Sequence, residues 1–226
     1  MKTVVTNRTN LLFGLFAGLF LLALVAAFLL DSYYVLAIPF GALLLNAGWR
    51  NPSLVFYGLL FSLPFSFEYS FSATLGTDIP DELLMLLTAG LFVIYGIYNR
   101  QTISRDIKIH LLIFLLTILC GWMLVTILFS THPLISVKYG LAKTWYLGAF
   151  VLAPLLVFTN KASIRTAALL LAGSMLLISL IALVRHGLTG FSFATVNEAV
   201  SPFFRNHVNY SAMLVCLLPV WFAFYH

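Results

Sequence analysis

Charge is what this sequence has least of. Only 8% of its 226 residues are Asp, Glu, Lys or Arg, against about a quarter in soluble domains, while 62% are hydrophobic. With a mean hydropathy of +1.04, such a chain is not a water-soluble globular domain. Cysteine is equally scarce. The two cysteines, Cys120 and Cys216, each lie inside an apolar run, which excludes a disulfide framework and a thiolate metal site and makes both read as small core residues. Also missing is the apolar/polar alternation of barrel strands. Lipid offers no partners to backbone N–H and C=O groups, so continuous apolar runs must cross it as helices. The expected fold is all-α, a polytopic integral membrane protein with one helical domain over 1–226.

What is present is a succession of apolar runs, about eight of them near the length that a bilayer core requires. They cover 11–30, 33–48, 53–67, 82–98, 110–129, 140–158, 166–184 and 207–225. The first is longer than a signal-peptide core and has no small-residue cleavage site before Asp31, so it reads as an uncleaved span. Within it, Gly14 and Gly18 form a small-xxx-small pair that permits close helix contact. Pro64 interrupts the third run, where a kink without special function is expected. The loop over 68–82 holds Glu68, Asp78, Asp81 and Glu82 and no basic residue. Asp78 and Asp81 suit an N-cap and a first-turn acid of the next helix; a divalent cation is the other reading, without visible ligand spacing. A second short loop, 130–139, carries His132 and Lys138. The last run ends without a charged flank, and a piece of a larger helical bundle is therefore expected.

The formal net charge is +5, yet the basic residues sit in connectors beside apolar runs, so they read as topology signals and not as a nucleic-acid surface. Placing the N-terminus in the cytoplasm puts Lys2, Arg8, Arg50, Arg100, Arg105, Lys108, Lys161 and Arg165 inside. Outside remain Lys138, Lys143, Arg185 and Arg205, together with every acid except Asp106. An anionic ligand at the outer face is one reason to tolerate those four. For Lys143, one turn deep, snorkelling accounts better; for Lys138 and Arg185 either reading holds.

The long outer loop, 185–206, gathers Arg185, His186, Glu198 and Arg205 just ahead of His207. Arg205 is the strongest candidate, because a planar, permanently charged guanidinium grips a phosphate with paired donors. His207 and Asn209 read first as an interfacial cap and a polar helix contact. His186 and His207 are the candidates for a general base, and both are weak ones. No metal site and no cofactor is expected.

Taken with the short connectors, three patterns resemble the O-antigen ligase and O-antigen polymerase superfamily, bacterial inner-membrane enzymes. They are Asp81–Leu84 opening the fourth run, Ser130 to Pro133 as an outer turn, and Phe204-Arg205-Asn206-His207-Val208-Asn209-Tyr210 opening the last. The resemblance implies a metal-independent glycosyltransferase. It would move glycan from undecaprenyl pyrophosphate to an acceptor such as lipid A core or a growing polysaccharide, at the periplasmic face. It further implies that Arg205, with Arg185 and Lys138 as additional candidates, binds the pyrophosphate, and that the main base comes from a later loop beyond this sequence. A transporter or flippase of lipid-linked glycans, or a non-catalytic membrane subunit, is the competing reading.

Overall fold

The computed structural model describes residues 2–72, 75–99 and 110–225, and side chains over 11–70, 76–99 and 110–223. Arg100, Arg105, Asp106 and Lys108 lie outside the described residues, as do the side chains of Lys2 and Arg8. The chain divides into two compact units, Met1–Asn51 and Pro52–His226.

The first unit is a helical hairpin of α1 (Lys2–Leu29) and α2 (Ala37–Arg50), joined through Asp31 in the left-handed region and a 3-10 turn at Tyr33–Leu36. Phe20 meets Phe40 edge-to-face at 6.4 Å. The buried small residues of α1 are Ala23 and Ala27, four apart on one face. Gly14 and Gly18 have open space around them, so the small-xxx-small pair is not a helix contact in this unit.

The second unit begins with α3 (Pro52–Ser62), a 3-10 turn at Leu63–Phe65 that contains Pro64, and an antiparallel hairpin of β1 (Phe67–Ser72) and β2 (Leu75–Ile79). The loop expected over 68–82 is therefore mostly strand, because residues with strand-compatible chemistry such as Phe67, Tyr69 and Thr77 pair across it. After it come α4 (Asp81–Tyr98), α5 (Leu111–Leu128), α6 (Pro133–Leu147), a π-helical turn at Gly148–Leu152 and α7 (Ala153–Val157). The chain continues through α8 (Lys161–Leu188), a 3-10 turn at Phe193–Thr195, the short α9 (Val196–Val200) and α10 (His207–Tyr225).

Among the described residues, 5 helices are long and apolar enough to cross a membrane: Leu11–Leu29, Asp81–Tyr98, Leu111–Leu128, Pro133–Val157 and Lys161–Leu188. Helix length among the described residues thus does not support the expected number of about eight. Two apolar runs fold as shorter helices, α2 with 14 residues and α3 with 11, whereas α10 has 19 residues. Two boundaries also move. The expected loop at 130–139 is the first part of α6, started by Pro133 at its first turn, and Arg185 with His186 closes α8 where a loop was expected.

An apolar helix such as α5 shows why lipid is the solvent. None of its residues is buried, so Leu111, Phe114, Leu119, Trp122 and Leu128 all lie open around its circumference. Water would not tolerate that surface. The protein is therefore a helical, multi-pass membrane protein. Of the two cysteines, Cys120 on α5 is half-buried and Cys216 on α10 exposed, so neither is the core residue expected.

The core sits on α3. Val55, Phe56 and Leu59 are at most 1% exposed, packed against Met85 and Phe92 of α4 and against Ala149, Ala153 and Ala167. Phe56 makes edge contacts with Phe92 at 6.4 Å and Phe158 at 5.8 Å. A close backbone approach lies at the π turn, where a Cβ on Gly148 would stand 2.5 Å from the Cβ of Ala89 and 3.0 Å from its Cα. Gly148→Ala should therefore destabilise the detergent-solubilised protein by about 1–3 kcal/mol. Gly140→Ala is the control. There the clash is with the flexible Cδ1 of Ile127, and thermal unfolding should change by about 0.5 kcal/mol or less.

Candidate functional site

The hairpin and the segment before α10 meet at one end of the second unit. Glu68 and Asp78 are directly opposed across β1 and β2, so both side chains leave the same face. Like charges opposed in this way repel. Arg205 Nη2 offsets the repulsion by pairing with Glu68 Oε2 at 2.9 Å, and Phe203 meets Phe65 edge-to-face at 6.3 Å beside it. Both partners of the ion pair keep solvent access, Arg205 at 72% and Glu68 at 49% exposure.

The other carboxylates organise the start of α4. Asp81 Oδ1 accepts from the Ser66 hydroxyl at 2.6 Å and from the Glu82 N–H at 2.8 Å. Glu82 Oε2 accepts from the Thr77 hydroxyl and, at 3.4 Å, from the Asp78 N–H. Asp81 and Glu82 thus occupy the first turn, where the helix dipole favours negative charge, while the N-cap position falls to Pro80. Asp78 is a strand residue and not the expected cap.

Arg205, Glu68, Asp78, Asp81 and Asn209 share the lining of a cavity of about 280 Å³ with Phe67 and Phe203. Burial raises the Asp78 carboxyl above its ordinary range; Glu82 and Glu68 raise it further, and Arg205 opposes them. Among the described residues no group of three or more His, Cys, Asp or Glu is arranged to hold a metal ion.

The remaining candidates hold the loop together. Arg185 Nη1 donates to the Ser201 carbonyl, tying the end of α8 to the residue after α9. His186 Nε2 lies 3.0 Å from the Ser192 carbonyl, and its ring meets Phe191 at 5.3 Å. Gly190 and Phe191 take positive φ there, which turns the chain back after α8. Asn197 Oδ1 accepts from the His207 N–H at 3.0 Å and lies 2.9 Å from the His207 Nδ1. Asn206 Oδ1 accepts from the Asn209 N–H at 2.9 Å as the N-cap of α10. Lys138 is exposed on α6, and neither it nor Arg185 lines the cavity that Arg205 lines.

The structure thus joins Arg205 to acids, where the sequence led to an expectation of further bases. The signal was available in the run 68–82, whose four acids carry no basic residue of their own. Compared with known protein families, with curated proteins and with solved structures, the chain finds no match.

A raised carboxyl binds its proton more tightly in the folded state, so its ionisation destabilises the fold as pH rises from 3.8 through the folded value. Asp78→Asn removes that penalty. The variant should melt higher than the parent at pH 7, and the difference should shrink as pH falls toward 3.8, read by thermal unfolding in detergent across that range.

Proposed function

We propose that this protein is a metal-independent glycosyltransferase of the O-antigen ligase and polymerase type. It lies in a bacterial inner membrane with its N-terminus in the cytoplasm, and moves glycan from undecaprenyl pyrophosphate to an acceptor such as lipid A core or a growing polysaccharide. The observation that carries the reading is the pairing of unlike groups in one cavity, the exposed Arg205 guanidinium beside the carboxylates of Glu68 and Asp78, at one end of a lipid-embedded bundle. Such a transfer needs both. Fixed positive charge must meet the pyrophosphate as it leaves, and an acceptor for the attacking hydroxyl's proton must stand beside it.

The Arg205–Glu68 pair is compatible with this role. Exposed ion pairs contribute only about 0–1 kcal/mol, so a multiply charged pyrophosphate can take the place of Glu68 on the guanidinium at little cost. Arg185 and Lys138 would act as more distant positive charges that draw the donor to the surface. His186 and His207, held by Ser192 and Asn197, serve the loop's geometry.

In the native protein, Arg205→Ala should abolish glycan transfer in reconstituted membranes, a fall of about 10²–10³-fold, with normal insertion and abundance. Arg205→Lys should recover only part, because it keeps charge but loses the paired donors. Wild-type transfer by Arg205→Ala removes the residue from the site. The orientation has its own check, in a chain with Cys120 and Cys216 changed to Ala. A cysteine at Ser70 should react with an impermeant thiol reagent from the periplasm, and one at Lys161 should not.

A further inference from the structure

We propose that Asp78 is the proton acceptor of the transfer, and that the cavity it shares with Arg205 holds the attacking sugar. This rests on the glycosyltransferase reading above, with Asp78 in place of the base that the family resemblance assigns to a later loop. Four carboxylates crowd this end of the unit, and three are already engaged. Glu68 holds Arg205, Asp81 accepts from Ser66 and the Glu82 N–H, and Glu82 accepts from Thr77. Asp78 lines the cavity with no hydrogen bond or ion pair on its carboxylate among the described residues. Among the described acids at this end, it is the one left to take a hydroxyl as its partner.

The charged or titratable groups coupled to Asp78 among the described residues come from four elements. Glu68 approaches from β1, Asp81 and Glu82 from α4, Arg205 from the segment before α10, and Tyr146 from α6. The carboxylates and partial burial favour the protonated form of Asp78, and Arg205 favours the ionised one. When a pyrophosphate displaces Glu68 from Arg205, the balance moves further toward protonation. Donor binding thereby strengthens Asp78 as a base at the moment when it is needed.

The step balances without any co-reactant. The acceptor hydroxyl oxygen forms a bond to the anomeric carbon as that carbon's bond to the phosphate oxygen breaks. The electron pair of the broken bond leaves on the pyrophosphate, where Arg205 meets it. The hydroxyl proton passes to the Asp78 carboxylate and from there to water.

The test uses the native protein in proteoliposomes, with undecaprenyl-pyrophosphate-linked glycan as donor and lipid A core as acceptor. Asp78→Asn should bind donor within about twofold of the parent while single-turnover transfer falls about 10²–10⁴-fold and the acidic limb of the pH–rate profile disappears. Asp78→Glu should restore part of the rate, and Asp78→Ser should behave as Asp78→Asn does, which keeps the test valid if one variant fails to accumulate. Transfer by Asp78→Asn within about threefold of the parent, with the acidic limb intact, overturns the assignment and leaves the glycosyltransferase reading standing. Absence of both donor binding and transfer in the parent overturns that reading and the assignment with it.

Discussion

The packing of α3 is the contact on which the rest of the second unit depends. In lipid, apolar side chains gain little from leaving the solvent, so helices associate through close van der Waals fit and not through exclusion of water. Phe56 and Leu59 supply that fit on α3, and the near-contact of Gly148 with Ala89 supplies it between α4 and the π turn. Because α3 leads directly through Pro64 into β1, the same packing fixes where the hairpin leaves the bundle. Glu68 and Asp78 inherit their place from a core of phenylalanine, leucine and alanine.

Hydropathy made the membrane class legible, because a run that is apolar all round has only one solvent that suits it. It did not distinguish a run that spans from a run that is buried. α3 and α5 are both apolar, yet α3 buries Val55, Phe56, Leu59 and Leu60 in protein while α5 buries none of its residues. Helix ends also shift by several residues when a Pro starts them early, as Pro133 does, or when a basic last turn extends them, as Arg185 and His186 do. The hairpin was hidden for another reason. Its strands are short and mixed in polarity, and what pairs them is the geometry of the helices on either side.

For the site, Arg205 stood out because a permanent charge beside an apolar run needs a reason. Its partner did not, since the partner lies 137 residues away and no local pattern links them. The acids of 68–82 were visible as a group, but Asp78 and Asp81 read as an N-cap and a first-turn acid, and the first-turn place is the one Asp81 fills, beside Glu82. Only the cross-strand register separates Asp78 from them, by turning it to the same face as Glu68. Arg185, His186 and His207 share the loop's chemistry with Arg205 but are spent on carbonyl and amide partners within it.

The distance along the chain between Glu68 and Arg205 also sets an order of events during synthesis. At about 5–20 residues per second, the ribosome makes the acidic hairpin on the order of ten seconds before its counter-ion exists. During that interval Glu68 and Asp78 face each other across the strands without the guanidinium, and water must screen them. The hairpin is therefore held at the aqueous surface while α4 to α8 enter the bilayer, and Arg205 closes the surface when α10 follows.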